Sequence, residues 1–137
     1  MITNIEIENR TKESIDLKKI KLFSEKLLNE IFKKEGGNYF LEIIFVTNRQ
    51  IAKLNRTHLK HDGATDIISF PNANKEKNGP ISLGSLIVAP AYLKTHGEEM
   101  EEVVLHGMIH LFGLDHEIDQ QKWSDKICEV KNGIHSV

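Results

Sequence analysis

The run His106-Gly107-Met108-Ile109-His110-Leu111-Phe112-Gly113-Leu114-Asp115-His116 constrains this chain more than any other segment. It is apolar enough to be buried, yet it carries three imidazoles, and any fold that buries it must give those rings partners. His106 and His110 are four residues apart, so on a helix their rings leave one face about one turn apart and reach a common ion. Gly113 comes three residues after His110, where a glycine in the left-handed conformation ends a helix and reverses the chain. That reversal gives His116 a route to the same ion. Leaving the imidazoles unpartnered would cost about 1–3 kcal/mol for each unmet polar group, and a shared metal removes the cost. One zinc per chain is the first expectation, held by nitrogen at about 2.0–2.1 Å with a fourth position open to water, the pattern of a catalytic rather than a structural site. Nickel, copper and cobalt accept the same ligands, and a hydrogen-bonded histidine cluster without metal is the bland alternative.

Other features narrow the class. A chain of 137 residues with 39% hydrophobic and 28% charged residues suits one compact domain with one core. The start Met1-Ile2-Thr3-Asn4-Ile5-Glu6-Ile7-Glu8 has neither the basic beginning nor the apolar centre of a signal peptide, and no run reaches the length of a membrane span, so a cytoplasmic location is expected. Cys128 is the single cysteine, which excludes an internal disulfide; a small core residue is its simplest role. A net charge of −2 gives no global attraction to nucleic acid, so any such binding rests on local cations. The glycines form no phosphate-cradling or dinucleotide loop, and no nucleotide cofactor is expected.

Strand and helix signals alternate along the chain. Ile5 and Ile7 alternate with polar neighbours as in a half-buried strand. Leu17, Ile20, Leu27, Leu28 and Ile31 repeat at helical spacing, with Lys18, Lys19, Lys21, Lys33 and Lys34 as the wet face and Gly36-Gly37 as the stop. Tyr39 to Val46 reads as a central strand, and Thr47-Asn48-Arg49-Gln50 as a capping box opening a helix through Ile51, Leu54 and Thr57. A turn at Asp62-Gly63 leads to a strand over Thr65–Phe70, closed by Pro71. The polar stretch from Asn72 to Pro80 reads as a connection, and Ile81–Val88 as a further strand. After Pro90 come a short helix broken near Gly97, the histidine helix, and a last helix on Trp123, Ile127 and Val130. The expected fold is α/β (α+β), a single domain with helices packed on a mixed sheet of about four strands and a central metal-binding helix.

The spacing of the histidines and Gly113 matches the His-Glu-x-x-His-x-x-Gly-x-x-His helix of zinc peptidases except at Gly107, where those enzymes carry the glutamate that takes a proton from water on the metal. Metal-assisted hydrolysis survives that loss, but amide cleavage by the peptidase route does not follow. With the glycine in place, the run resembles the signature of the YbeY family of metal-dependent, single-strand-specific endoribonucleases. Leu54-Asn55, Asp62 and Thr65-Asp66-Ile67-Ile68-Ser69-Phe70-Pro71 are similar to the other characteristic segment of that family, so the resemblance covers most of the chain. It implies an α/β fold with the histidine helix under a mixed sheet. It also implies one zinc on His106, His110 and His116, and action on single-stranded RNA in 16S ribosomal RNA 3′-end maturation and ribosome quality control. Ribosomal RNA and the small ribosomal subunit are then the expected partners. Two positions depart from the family pattern. Leu59 stands where many members carry an arginine thought to hold phosphate at the rim of the metal cleft, and Gly84-Ser85 stands where Gly-Asp is usual.

Further residues are candidates for chemistry. Asp115 either orients a ligand imidazole and the water on the metal or caps the turn after Gly113. Arg56, Lys60 and His61 surround position 59 and are read as phosphate holders, with solvated surface charge as the alternative. Ser69 and Thr65 read as sheet-edge residues satisfied by the backbone, with contact to a substrate phosphate as the alternative, and His58, His96 and His135 as surface. The favoured function is a zinc-dependent endoribonuclease. A zinc peptidase or other metallohydrolase, and a non-catalytic, zinc-stabilised ribosome- or RNA-binding factor, are the alternatives.

Overall fold

Strands β1 (Ile2–Asn9), β2 (Asn38–Phe45), β3 (Ile67–Pro71) and β4 (Ile81–Val88) make one sheet in the order β1-β2-β4-β3. β1, β2 and β4 run parallel, and β3 lies antiparallel to β4 at the edge. Five α-helices accompany them among the described residues: α1 (Leu17–Ile31), α2 (Asn48–Leu54), α3 (Pro90–His96), α4 (Met100–Phe112) and α5 (Gln120–His135). The computed structural model describes residues 2–72, 81–115 and 117–135. The connection read over Asn72 to Pro80 therefore lies, beyond Asn72, outside the described residues, as does His116. The mixed α/β architecture is the one expected from the sequence.

Local chemistry explains the elements. Asp16 caps α1 by accepting from the Lys19 N–H at 3.1 Å, and Ile20, Ser24, Leu27, Leu28 and Ile31 form its buried stripe. α1 stops at Phe32, four residues before Gly36, so the glycines complete the turn that follows rather than the helix itself. Thr47 and Gln50 form the capping box of α2 in both directions, at 3.2 and 3.0 Å. α2 ends at Leu54 and widens into a π-helical turn over Asn55–Leu59, whereas the apolar spacing predicts an α-helix running through Thr57.

Alternation along the central strands divides the apolar residues between the two sheet faces. Leu41, Ile43 and Phe45 of β2 and Leu86 and Val88 of β4 join the large core with α1, α4 and α5. Ile44 and Ile87 join a smaller cluster with Ile51 of α2 and Ile68 of β3 on the other face. The β2–β4 register shifts beside Gly84, whose φ of 125° and contact with β3 leave no room for a side chain: an added Cβ would run into the Phe70 carbonyl and stand 2.9 Å from Pro71 Cα. Ser85 points its hydroxyl to Glu42 on β2 at 2.9 Å. The second departure from the family pattern is thus absorbed within the sheet.

Cys128 corrects an expectation. It is exposed, because α5 buries Trp123 and Val130 and residue 128 falls off that stripe. Among the described residues no helix is long and apolar enough to cross a membrane.

Candidate active site

α4 carries the site. Glu101 and Glu102 occupy its first turn, where acidic groups suit the helix dipole, and Gly113 ends it in the left-handed conformation with φ 108°. The Gly113 N–H returns to the His110 carbonyl at 3.0 Å and the Leu114 N–H to Ile109 at 3.3 Å, the reversal that the spacing predicts. Within α4, Val103, Val104, Gly107 and Met108 face inward, and His106 and His110 emerge together on the side turned to α5.

Gly107 explains how closely the helix sits. A Cβ there would stand 2.6 Å from Ile67 Cδ1, 2.9 Å from Leu86 Cδ2 and 3.2 Å from Ser69 Oγ. The helix backbone therefore lies directly on β3 and β4, and the Ser69 hydroxyl donates to the Gly107 carbonyl at 3.3 Å. Ser69 is satisfied by a backbone group, as read, but the group belongs to α4 rather than to the sheet. The position that holds the base in zinc peptidases here faces into the sheet.

The imidazoles of His106 and His110 lie 5.8 and 4.7 Å, centroid to centroid, from the ring of Trp123 on α5. His106 Nε2 is 3.6 Å from Glu102 Oε2, and the other oxygen of Glu102 receives Lys131 Nζ at 2.8 Å. Burial pushes the His106 imidazole below its usual range, partly opposed by the charge of Glu102. The side chain stays 48% exposed, and the direction of the shift favours the neutral ring, the form that binds a metal.

Both histidines open into a cleft of about 870 Å³ between β3, the π-helical turn and the α4–α5 corner. Asp115 lies on its wall and accepts from the Glu117 N–H at 2.8 Å, so the turn-capping role is realised. Asp66 also lines the cleft, accepting from the Ile67 N–H at 2.7 Å and the Thr65 hydroxyl at 3.2 Å. The structure thus places His106, His110 and Asp115 along one cleft. Arg56, Lys60 and His61 are exposed on the π-helical turn and the residues after it, and Leu59 rather than any of these three lines the cleft. His116, the third ligand named from sequence, lies outside the described residues; among those described, no three His, Cys, Asp or Glu groups are gathered to hold a metal. Two site residues escaped the sequence reading. Trp123 read only as core of the last helix, and Glu102 carries a signal only in hindsight, four residues before His106 on one helix face.

A family model described as Endoribonuclease YbeY matches residues 6–132. The chain belongs to the YbeY family. Endoribonuclease YbeY of Thermotoga petrophila is 34% identical over 113 residues, covering 80% of this chain and 75% of that protein. Its namesake in Thermotoga neapolitana is 40% identical over 105 residues, covering 74% and 69%. Endoribonuclease YbeY of a Sulfurovum species is 29% identical across 95% of this chain and 90% of its own length. A solution structure of a Thermotoga maritima protein matches with a TM-score of 0.56 at 27% identity, over 95% of this chain and 86% of that one. Membership of the YbeY family makes the protein an endoribonuclease, a hydrolase of RNA phosphodiester bonds.

Proposed function

We propose that the chain is a zinc-dependent endoribonuclease that cuts single-stranded RNA in the cytoplasm and acts in 16S ribosomal RNA 3′-end maturation and ribosome quality control. The observation that carries this reading is the pair His106 and His110, side by side at the wall of one cleft on a YbeY-family fold. The donor set fits a metal: two imidazoles on one helix face, one of them with its proton affinity lowered by partial desolvation. His106 and His110 would hold the ion, with His116 as the third donor. When bound, the ion supplies charge neutralisation at phosphorus and activation of water near neutral pH.

The chain's own residues do the rest. Trp123 packs against both imidazoles and limits the orientations they can take. Asp115 fixes the corner after Gly113 through its bond to the Glu117 N–H. Arg56, Lys60 and His61, exposed beside the cleft, would meet backbone phosphates as the strand enters. Gly107 offers no carboxylate to deliver a proton to an amine leaving group, whereas a phosphodiester is helped mainly by charge neutralisation.

The test is incubation of zinc-loaded protein with an unstructured RNA and with casein, beside a His106→Ala control. RNA should be cut, casein left intact, and the control inactive. Casein cleavage that vanishes in the control, with RNA untouched, would overturn the reading in favour of a peptidase; cleavage of neither would move the weight to a ribosome-binding factor.

A further inference from the structure

Leu59 is 45% exposed, one of three large apolar side chains on the described surface, and of these three it is the one on the wall of the His106–His110 cleft. Its place is built from below. Asn55 is buried, its side-chain amide donates to the Gly63 carbonyl at 3.1 Å, and its own carbonyl receives the backbone N–H groups of Lys60 and His61. Lys60 takes the left-handed conformation at φ 60°, the single non-glycine residue to do so among those described. A π-helical turn closed by a strained residue is costly, and such turns recur at functional sites. Here the turn sets a leucine at the edge of a reactive cleft.

Charge sharpens the point. The charged groups on the described cleft wall are Asp66, Asp115 and Glu117, with no lysine or arginine. A phosphate backbone pressed into this cleft would meet carboxylates. Nucleobases present apolar π-faces that pack on apolar side chains whatever the sequence, and only an unpaired base can turn its face to a wall.

Building on the reading of this cleft as the RNA-cutting site, we propose that Leu59 packs against an unpaired nucleobase beside the scissile phosphate. Base contact then adds a grip inside the cleft beside the scissile phosphate, and the flanking phosphates stay with the exposed cations outside it. Leu59 is a positioning residue: it touches the substrate away from the reacting atoms.

The test combines wild type, Leu59→Ala and Leu59→Met with an unstructured oligoribonucleotide and versions in which one base at a time is replaced by an abasic site. In wild type one abasic position next to the cut should raise KM about three- to tenfold, the effect of losing one apolar contact of this size, with kcat little changed. In Leu59→Ala the same position should carry almost no penalty, and Leu59→Met should restore it. Anisotropy of an oligonucleotide with a non-hydrolysable methylphosphonate at the scissile linkage reads the same difference in binding without turnover. Equal penalties in wild type and Leu59→Ala, or no penalty anywhere in wild type, would overturn the proposal. If instead RNA is still cut by His106→Ala, the reading of the cleft itself has failed, and the binding measurement alone decides the role of Leu59.

Discussion

Gly107 and Ile67 are in contact so close that a Cβ on the glycine would stand 2.6 Å from Ile67 Cδ1. This one contact explains why a helix with peptidase spacing lacks the peptidase base. The site faces β3 and β4, and a carboxylate there would be driven into apolar side chains rather than toward the cleft.

Substitution at this contact should therefore lower stability without creating a peptidase. In Gly107→Ala the better helix propensity offsets part of the overpacking, because the atoms displaced are side-chain ends, and a net loss of about 1 kcal/mol is expected. Gly107→Glu buries a charge as well and should cost at least about 3 kcal/mol. Urea unfolding followed by circular dichroism measures both; a Gly107→Glu protein as stable as wild type would show that the helix does not sit this close.

A second expectation concerns occupancy. Protein purified without chelator should carry about one metal ion per chain, and His110→Ala, left with two of the three proposed imidazole donors, should retain a small fraction of it. Elemental analysis of the two proteins side by side is the check. Equal metal in both would place the ion elsewhere.

The chain has one tryptophan, and its ring lies 5.8 and 4.7 Å from the two imidazoles. Intrinsic fluorescence should therefore report loading directly. Nickel or cobalt added to metal-free protein should quench most of the Trp123 emission at one equivalent, while zinc, without unpaired electrons, should change it far less. The double variant His106→Ala/His110→Ala should show no saturable quenching. Quenching that persists there would mean that Trp123 senses another site.

Glu98, paired with Asp66, has a pH signature. Burial first, and then the charge of Asp66, push the Glu98 carboxyl above its usual range. A carboxyl with its folded-state value above its unfolded one favours folding only while protonated. Its destabilising effect is absent below about pH 4 and complete once the pH passes the folded-state value. Glu98→Gln should raise stability at pH 7 by about a few tenths of a kcal/mol, since the group is well solvated, and leave it unchanged near pH 3. Thermal melts at the two pH values test the sign.

The parts legible in the sequence are those written in local chemistry. Four-residue spacing brings His106 and His110 to one face, Gly113 reverses the chain, and Thr47 with Gln50 caps α2, each through groups within four residues of one another. What escaped depends on distant partners. Trp123 meets the imidazoles only because α5 folds back on α4, and Cys128 is exposed by the angle at which that helix docks. The π-helical turn is held by Asn55 reaching Gly63, eight residues on, a bond no helical periodicity announces. The wall position of Leu59 follows from that turn.

Chain order gives the cleft one more property. β2 and β4 are neighbours in the sheet, yet the segment between them carries α2, the π-helical turn and β3. Leu59, Asp66 and Ser69 all belong to this excursion, while the histidines come later on α4. Substrate contact and reactive group are thus encoded in separate stretches, brought together where β3 meets α4. Residues 55–66 belong neither to the parallel strands nor to the large core, so a change in what the cleft grips need not disturb the frame that holds the imidazoles.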